Sequence, residues 1–301
     1  MRSFEEMQKM LKTCPTKRRI AVVAAHDEHT LEAVIMAAKE GLVAPVLIGD
    51  QLKIEKILES LDCSKNLVEI INIIDPVEAA LESTRMVKEG KVDCIMKGKI
   101  ETGKLMKVLV DRETGIRKKD TMSLVVFVES PYYHKVFAIT DAGLLTYPIL
   151  EQKKEAIENA VGAFHALGIR KPKVAVLAAV EKINPKMKET IEADELKKMA
   201  EDNTITGCIL EGPISYDLTM NKEAAEIKGY ESPVAGDADI LVVPDIVAGN
   251  LLVKSLNFTG GAKACGVILG AIVPLVITSR SSKVEDKFMA IVLSALVGKV
   301  K

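Results

Sequence analysis

The feature that most constrains this chain is an alternation. Short apolar runs rich in Val, Ile and Ala recur between longer segments with helical spacing, almost from end to end. Arg19–Ala25 reads as a strand, followed by a polar turn, His26 to His29, and a helix from Thr30 to Glu40 that Gly41 stops. Val46–Ile48, Val68–Ile74 and Cys94–Met96 repeat the strand pattern. Helices are expected over Gln51–Leu61, over Pro76–Glu89 with its first-turn proline, and from Thr102 to Asp111. Strands that alternate with crossover helices lie parallel, so the expected fold is α/β, with doubly wound, mostly parallel sheets. Ligands in such sheets bind at the carboxyl ends of strands, in the turns leading into helices. Three turns qualify: His26–His29, Lys97–Thr102 and Ser279–Ser282.

From Ser123 the rhythm changes. Ser123–Val128 and Lys135–Thr140 look like a hairpin or an edge pair joined through Ser130-Pro-Tyr-Tyr. Beyond Pro148 the alternation resumes, with helices Glu151–Leu167, Pro185–Glu201, Thr219–Lys228 and Ile246–Leu256 and strands Val174–Val180, Ile205–Leu210 and Asp239–Val243. The reading is of two α/β domains with a cleft between them: residues 1–133 plus 268–301 form the first, residues 134–267 the second. Val273–Ile277 then reads as the last strand, and Lys283–Val297 as the last helix. Ser282 with Glu285 three residues on fits a capping box at that helix's start.

Composition excludes several classes of partner. Acidic and basic residues nearly cancel, 42 against 41, which leaves no basic excess for nucleic acid or an anionic membrane surface. No apolar run is long enough to span a bilayer, and the first residues read as a short helix rather than a signal peptide. The five cysteines are odd in number and widely separated, which suits reduced core residues of a cytoplasmic protein. The His26-Asp-Glu-His29 turn offers two imidazoles without a third ligand, so no metal site is expected.

Two stretches carry candidate chemistry. Gly98-Lys-Ile-Glu-Thr-Gly-Lys-Leu105 follows a strand, opens a helix and nearly matches a phosphate-cradling loop. Leu105 stands where a hydroxyl would hold magnesium, which argues against nucleotide hydrolysis, but a glycine-rich lysine-bearing turn at a helix start can hold phosphate without metal. Its alternative is three solvated lysines in a loop. The second stretch is Ile277-Thr-Ser-Arg-Ser-Ser-Lys-Val-Glu-Asp286, where Arg280 offers a donor fork beside a helix start and Asp286 lies in the first turns of that helix. Its bland reading is a capped helix with a solvated arginine. The run Asn257-Phe-Thr-Gly-Gly-Ala-Lys-Ala-Cys-Gly266 reads as a turn with tight helix packing.

Taken together, Pro233-Val-Ala-Gly-Asp-Ala-Asp239, Pro244-Asp-Ile-Val-Ala-Gly-Asn250, Gly260-Gly-Ala-Lys-Ala-Cys-Gly266, Ser279-Arg-Ser-Ser-Lys-Val-Glu-Asp286 and, more loosely, Glu211-Gly-Pro-Ile-Ser-Tyr-Asp217 resemble the phosphate acyltransferases, meaning phosphate acetyltransferase and phosphate butyryltransferase. In the first half the acetyltransferase block Ser-Gly-Ala-x-His-Ser-Thr-Ala-Asp is replaced by Met96-Lys-Gly-Lys-Ile-Glu-Thr-Gly103, and the Lys97-Gly-Lys99 turn and Glu211-Gly-Pro look more like the butyryl branch. The resemblance implies an isocitrate/isopropylmalate dehydrogenase-like arrangement and transfer of a butanoyl group between coenzyme A and inorganic phosphate. By matching position it implies Ser279, Arg280 and Asp286 as catalytic residues. On that reading the substrate-binding candidates are Lys97, Gly98, Lys99, Thr102, Gly103, Asp141, Asn257 and Gly260. It implies no permanently bound cofactor, coenzyme A as a substrate, and a homo-oligomer, a dimer or larger. Alternatives are an acetyl or propionyl preference, a metal- and NAD-dependent 3-hydroxyacid dehydrogenase using Asp217, Asp237, Asp239 and Asp245, and a non-catalytic sensor of acyl-coenzyme A or acyl phosphate.

Overall fold

A computed structural model of the chain describes residues 1–278 and 282–298. In chain order the elements are α1 (Phe4–Lys12), β1 (Arg18–Val23), α2 (Glu28–Lys39), β2 (Val43–Gly49), α3 (Gln51–Ser60), β3 (Glu69–Asn72), α4 (Pro76–Lys88), β4 (Cys94–Lys97) and α5 (Thr102–Leu109). Then come β5 (Ser123–Glu129), β6 (Phe137–Thr140), α6 (Leu150–Ala166), β7 (Lys173–Leu177), α7 (Lys188–Glu201), β8 (Ile209–Ile214), α8 (Tyr216–Met220), α9 (Lys222–Ile227), β9 (Ile240–Val242) and α10 (Ile246–Phe258). The chain closes with β10 (Lys263–Leu269), β11 (Leu275–Val276) and α11 (Val284–Val297). These pack as two compact units, one from the described residues of Phe4–Asp120 and Cys265–Lys301, the other from Met1–Ser3 and Thr121–Ala264.

In the first unit the strands run β3-β2-β1-β4-β11-β10, parallel except for β10. The chain winds outward from β1 to β3, and β4 then returns to the other side of β1. That reversal leaves a crevice at the carboxyl ends of β1 and β4. The turns there are built by aspartates. Asp27, Asp50 and Asp75 cap α2, α3 and α4, accepting from the amides of Thr30, Lys53 and both Val77 and Glu78, which satisfies donors that each helix start leaves unpaired. Gly41, at φ 75°, supplies the left-handed residue that ends α2. Strand interiors such as Ile20–Val23, Val46–Ile48 and Cys94–Met96 are buried, as a sheet covered on both faces requires.

The second unit orders its strands β5-β6-β9-β7-β8, with β5 antiparallel to β6 and the rest parallel. Its core joins Val126, Phe137, Ile139, Leu177, Ile214, Leu218 and Leu241. The β5–β6 pair is the expected hairpin. Two expectations need correction. The single helix Thr219–Lys228 is two short ones, because Asn221 leaves the helical region and caps α9 through the Ala224 amide. The strand foreseen at Ile205–Leu210 lies at Ile209–Ile214, where the chain pairs with β7.

One close approach fixes the crevice. The Gly98 amide donates to the Val23 carbonyl at 2.9 Å and the Lys99 amide to the Ala24 carbonyl at 2.8 Å. A Cβ on Gly98 would lie 2.5 Å from the Ala24 oxygen and 2.6 Å from the Val23 oxygen, both rigid backbone atoms. Gly98→Ala is therefore expected to lower stability by about 1–3 kcal/mol, as overpacking does. Gly103→Ala, whose Cβ meets nothing within 4 Å, should be neutral or slightly stabilising because alanine favours the helix. Chemical denaturation of both variants checks this; equal midpoints for Gly98→Ala and the parent would refute the close approach.

Candidate functional site

The turn after β4 lines a cavity of about 380 Å³ in the first unit, with Lys97, Gly98, Lys99, Ile100 and Glu101 on one side. Asp27 and Thr30, from the turn after β1 and the start of α2, form a second wall; Thr278, just past β11, and Lys287, in the first turn of α11, complete it. Strand register explains the convergence. Val23 pairs with Lys97, and Val276 pairs with Met96, so the residues that follow β1, β4 and β11 emerge side by side. Ala24 holds φ 53° at the end of β1, an uncommon backbone region for a residue with a Cβ, and one often found at functional turns.

Charge in the cavity leans positive: three lysines (Lys97, Lys99, Lys287) face two acids (Asp27, Glu101). Lys287 is the unusual member. It is only 3% exposed, and its ammonium donates to the Thr278 hydroxyl at 3.0 Å. Burial lowers its pKa below the ordinary lysine value, against the pull of the Asp27 and Asp286 charges, which favour the ammonium. Burial raises the Asp27 carboxyl, but hydrogen bonds from the Thr30 hydroxyl and amide, with the Lys287 charge, outweigh it and leave the pKa below its usual value. Beside the cavity, burial and then the charges of Lys53 and Lys99 hold His26 below its ordinary pKa. Lys97 is half-buried and donates to its neighbour's carbonyl, that of Gly98, at 3.3 Å, whereas Lys99 is exposed.

Of the residues singled out in the sequence, the structure thus gathers Lys97, Gly98 and Lys99 in one cavity. Thr102 and Gly103 begin α5, exposed and outside the cavity lining. Ser279 and Arg280 lie outside the described residues. Asp286 is half-buried in the first turn of α11, next in sequence to Lys287 but about 100° round the helix from it. Burial raises the Asp286 pKa, the Lys283 amide and ammonium opposing. The capping box expected from Ser282 and Glu285 does not form: Lys283 occupies the cap position, and it has no side-chain acceptor.

The remaining candidates belong to the other unit and serve its loops. Asp141, 4% exposed, accepts from the amides of Leu124, Gly143 and Leu144 at 2.7–2.8 Å, binding the turn after β6 to β5. Burial raises its pKa despite those bonds. Asn257 is half-buried in the last turn of α10, and Gly260 closes that helix by donating to the Ser255 carbonyl at 2.9 Å. The four aspartates that a metal-dependent dehydrogenase would gather do separate work. Asp237 takes Lys135, Lys173 and His134; Asp239 takes Lys135 and the Lys173 amide; Asp217 takes Lys228; Asp245 caps α10. Among the described residues no three His, Cys, Asp or Glu side chains converge as metal ligands would.

Asp27, Ile100, Glu101 and Thr278 lie in stretches that the sequence reading marked without naming them as site residues, whereas Thr30 and Lys287 it missed. For Lys287 a signal was present: it lies three residues after Val284 and four before Ile291, a charge on the apolar stripe of a helix.

Residues 74–295 match the family described as phosphate acetyl/butaryl transferase. The phosphate acetyltransferase of Thermotoga maritima is 44% identical over 93% of this chain and 95% of its own length. The phosphate butyryltransferase of Clostridium acetobutylicum is 38% identical over 99% of this chain and 98% of its own. Among solved structures, a branched-chain phosphotransacylase from Enterococcus faecalis superposes with a TM-score of 0.83 at 32% identity, over 93% of this chain and 98% of that one. With a family model matched over residues 74–295 and relatives aligned nearly end to end, this chain belongs to the phosphate acetyl/butaryl transferase family, a family of acyltransferases.

Proposed function

We propose that this protein interconverts butanoyl-coenzyme A and phosphate with butanoyl phosphate and coenzyme A, in the cytoplasm and without a permanently bound cofactor. The observation that carries the reading is the lysine-lined cavity at the strand ends, whose Thr278 and Lys287 flank in sequence the Ser279, Arg280 and Asp286 of the family motif. Toward acyl phosphate, a phosphate oxygen attacks the thioester carbonyl carbon, the C–S bond breaks, and the sulfur takes a proton. In reverse, the Asp286 carboxylate takes the thiol proton, the thiolate attacks the carbonyl carbon of the acyl phosphate, and the acyl C–O bond breaks to release phosphate. A carboxyl whose pKa is raised by burial is a stronger base for that purpose. Arg280 holds the phosphoryl oxygens and opposes the charge growing on the carbonyl oxygen, and Ser279 donates to the thiol or the carbonyl. Both substrates react directly in one ternary complex, so no acyl-enzyme is required. The free state of all five cysteines suits a reducing compartment.

Support for the butanoyl group comes from the Lys97-Gly-Lys99 turn and from the end-to-end match to the Clostridium butyryltransferase. A second reading, acetyl preference, is favoured by the higher identity to the Thermotoga acetyltransferase. For assembly the proposal is a homo-oligomer, supported by α10, where only Gly249 is buried while Val247, Leu251 and Phe258 are 52%, 62% and 81% exposed.

Three measurements test this reading. Thiol release from acetyl-, propionyl-, butyryl- and branched acyl-coenzyme A should depend strictly on phosphate and be fastest in kcat/KM for butyryl, with about 10-fold separating chain lengths. No phosphate-dependent release from any of them would end the activity reading, and acetyl in first place would move the preference. Arg280→Ala and Asp286→Asn should each cut kcat by at least about 100-fold with the fold intact; near-parent turnover in either would remove that residue from the chemistry. Light scattering should find a dimer or larger species that Leu251→Glu weakens, and a monomeric parent at micromolar concentration would refute the assembly.

A further inference from the structure

The cavity at the ends of β1, β4 and β11 is polar with one exception. Of its nine lining residues, eight are charged, hydroxyl-bearing or glycine, and the ninth is Ile100. Ile100 is 4% exposed and lies in the turn between β4 and α5. An apolar side chain in the wall of a charged cavity offers nothing to an ion, but it suits the hydrocarbon part of a ligand. Its place is fixed on both sides. Before it, the Gly98 and Lys99 amides are tied to the Val23 and Ala24 carbonyls at the end of β1; after it, the Glu101 carbonyl accepts from the Leu105 amide at 3.1 Å and opens α5. A wall carried on backbone so held keeps its position when a substrate presses on it. On another wall stands Thr278, which immediately precedes Ser279 and Arg280 in sequence. In the mechanism proposed above those two residues act at the acyl carbonyl, and the chain attached to that carbonyl needs an apolar surface nearby.

We propose that Ile100 is a specificity-determining residue, the wall against which the hydrocarbon chain of the acyl group lies and which limits its length. This rests on the acyltransferase reading above and adds to it the residue that decides between short and longer acyl groups. Contact between the chain and Ile100 removes apolar surface of both from water, so each methylene that fits strengthens binding. One methylene too many meets a side chain branched at Cβ and stiff at χ1, on backbone that cannot retreat, and overpacking of that kind opposes binding. The charged walls do not compete for the chain. A hydrocarbon turned toward Lys99 or Glu101 would strip water from an ion without replacing its hydrogen bonds. Ile100 donates and accepts nothing at the reacting atoms; it sorts substrates by size.

The test is a size series at this one position, read as the ratio of kcat/KM between acyl chain lengths. In Ile100→Ala the wall recedes, and kcat/KM for hexanoyl- relative to butyryl-coenzyme A should rise about 10-fold over the parent ratio. In Ile100→Phe the wall advances, and the butyryl to acetyl ratio should fall about 10-fold. KM for phosphate should stay within about 3-fold of the parent in both, since a loss of binding raises only the KM of the substrate affected. An isoleucine that merely packs the core would, when replaced, lower stability and reduce kcat/KM for every chain length alike. Ratios within about 3-fold of the parent in both folded variants overturn the proposal, and so do shifts in the same direction. Should Ile100→Ala not fold, Ile100→Val, which removes a single methyl, decides by a rise of about 3-fold in the hexanoyl to butyryl ratio, and no rise overturns the proposal. Should the parent release no thiol from any acyl-coenzyme A, the activity reading fails by itself. Calorimetric titration with butyryl- and hexanoyl-coenzyme A then decides the wall: a preference of the parent for butyryl that Ile100→Val narrows upholds it, and an equal preference in both, or no binding by the parent, overturns it.

Discussion

The first unit depends on two strand ends meeting without a side chain between them. β1 and β4 are neighbours in the sheet but distant in the chain, and the two hydrogen bonds from Gly98 and Lys99 to Val23 and Ala24 join their last residues. Only a glycine allows the distance, because a Cβ there would overlap two carbonyl oxygens. Everything at the crevice is referred to this junction. The β4 turn projects Lys97 and Lys99 over it, the β1 turn brings Asp27, and β11, in register on the far side of β4, delivers Thr278. The site is a consequence of strand order: where the winding reverses, no helix crosses over the strand ends, and the turns on either side part to leave space.

Electrostatics then decides what that space can hold. The acids of the first unit's turns are mostly engaged by the backbone: Asp50 and Asp75 cap helices, and Asp27 does so while also facing the cavity. A carboxylate that accepts amide hydrogens keeps its charge but directs it into the helix start. The cavity is left with an excess of lysine. Lysine presents a point charge rather than a planar fork, so it sets little constraint on the orientation of an anion.

Much of this was legible in the sequence. Apolar runs of β length between amphipathic segments announce parallel strands with crossovers, and glycine with lysines immediately after a strand picks out the β4 turn, which lines the cavity. The antiparallel β5–β6 pair could be read because Ser130-Pro-Tyr-Tyr punctuates two alternating runs. What failed is instructive in physical terms. Thr219–Lys228 has continuous helical spacing, yet Asn221 prefers to cap, and local side-chain bonding won over periodicity. The Ser282 box had the right letters one residue too early, since the cap position went to Lys283. The part Asp141 plays in the fold was not legible either: its carboxylate organises three backbone amides, a role that depends on a turn no local pattern reveals. The boundary between units was read near residue 134, whereas Thr121–Tyr133 packs with the second unit, where β5 pairs with β6.

The deepest gap concerns Lys287, whose meaning changes with its surroundings. On the helix alone, a lysine in the apolar stripe looks like a side chain that snorkels to solvent. The fold removes that escape: α11 packs so that the residue is 3% exposed, at the wall of the cavity shared with Thr278 and the β4 turn. A charge that cannot reach bulk water must be stabilised by the groups around it, and these include the Thr278 hydroxyl and the charges of Asp27 and Asp286. Thr278 lies nine residues before Lys287, but Asp27 and the β4 turn are far away in sequence, so no window of residues contains the whole argument. It follows that in this fold the turn motifs can be recognised one at a time, but the charge balance that selects a ligand exists only once β1, β4, β11 and α11 are assembled.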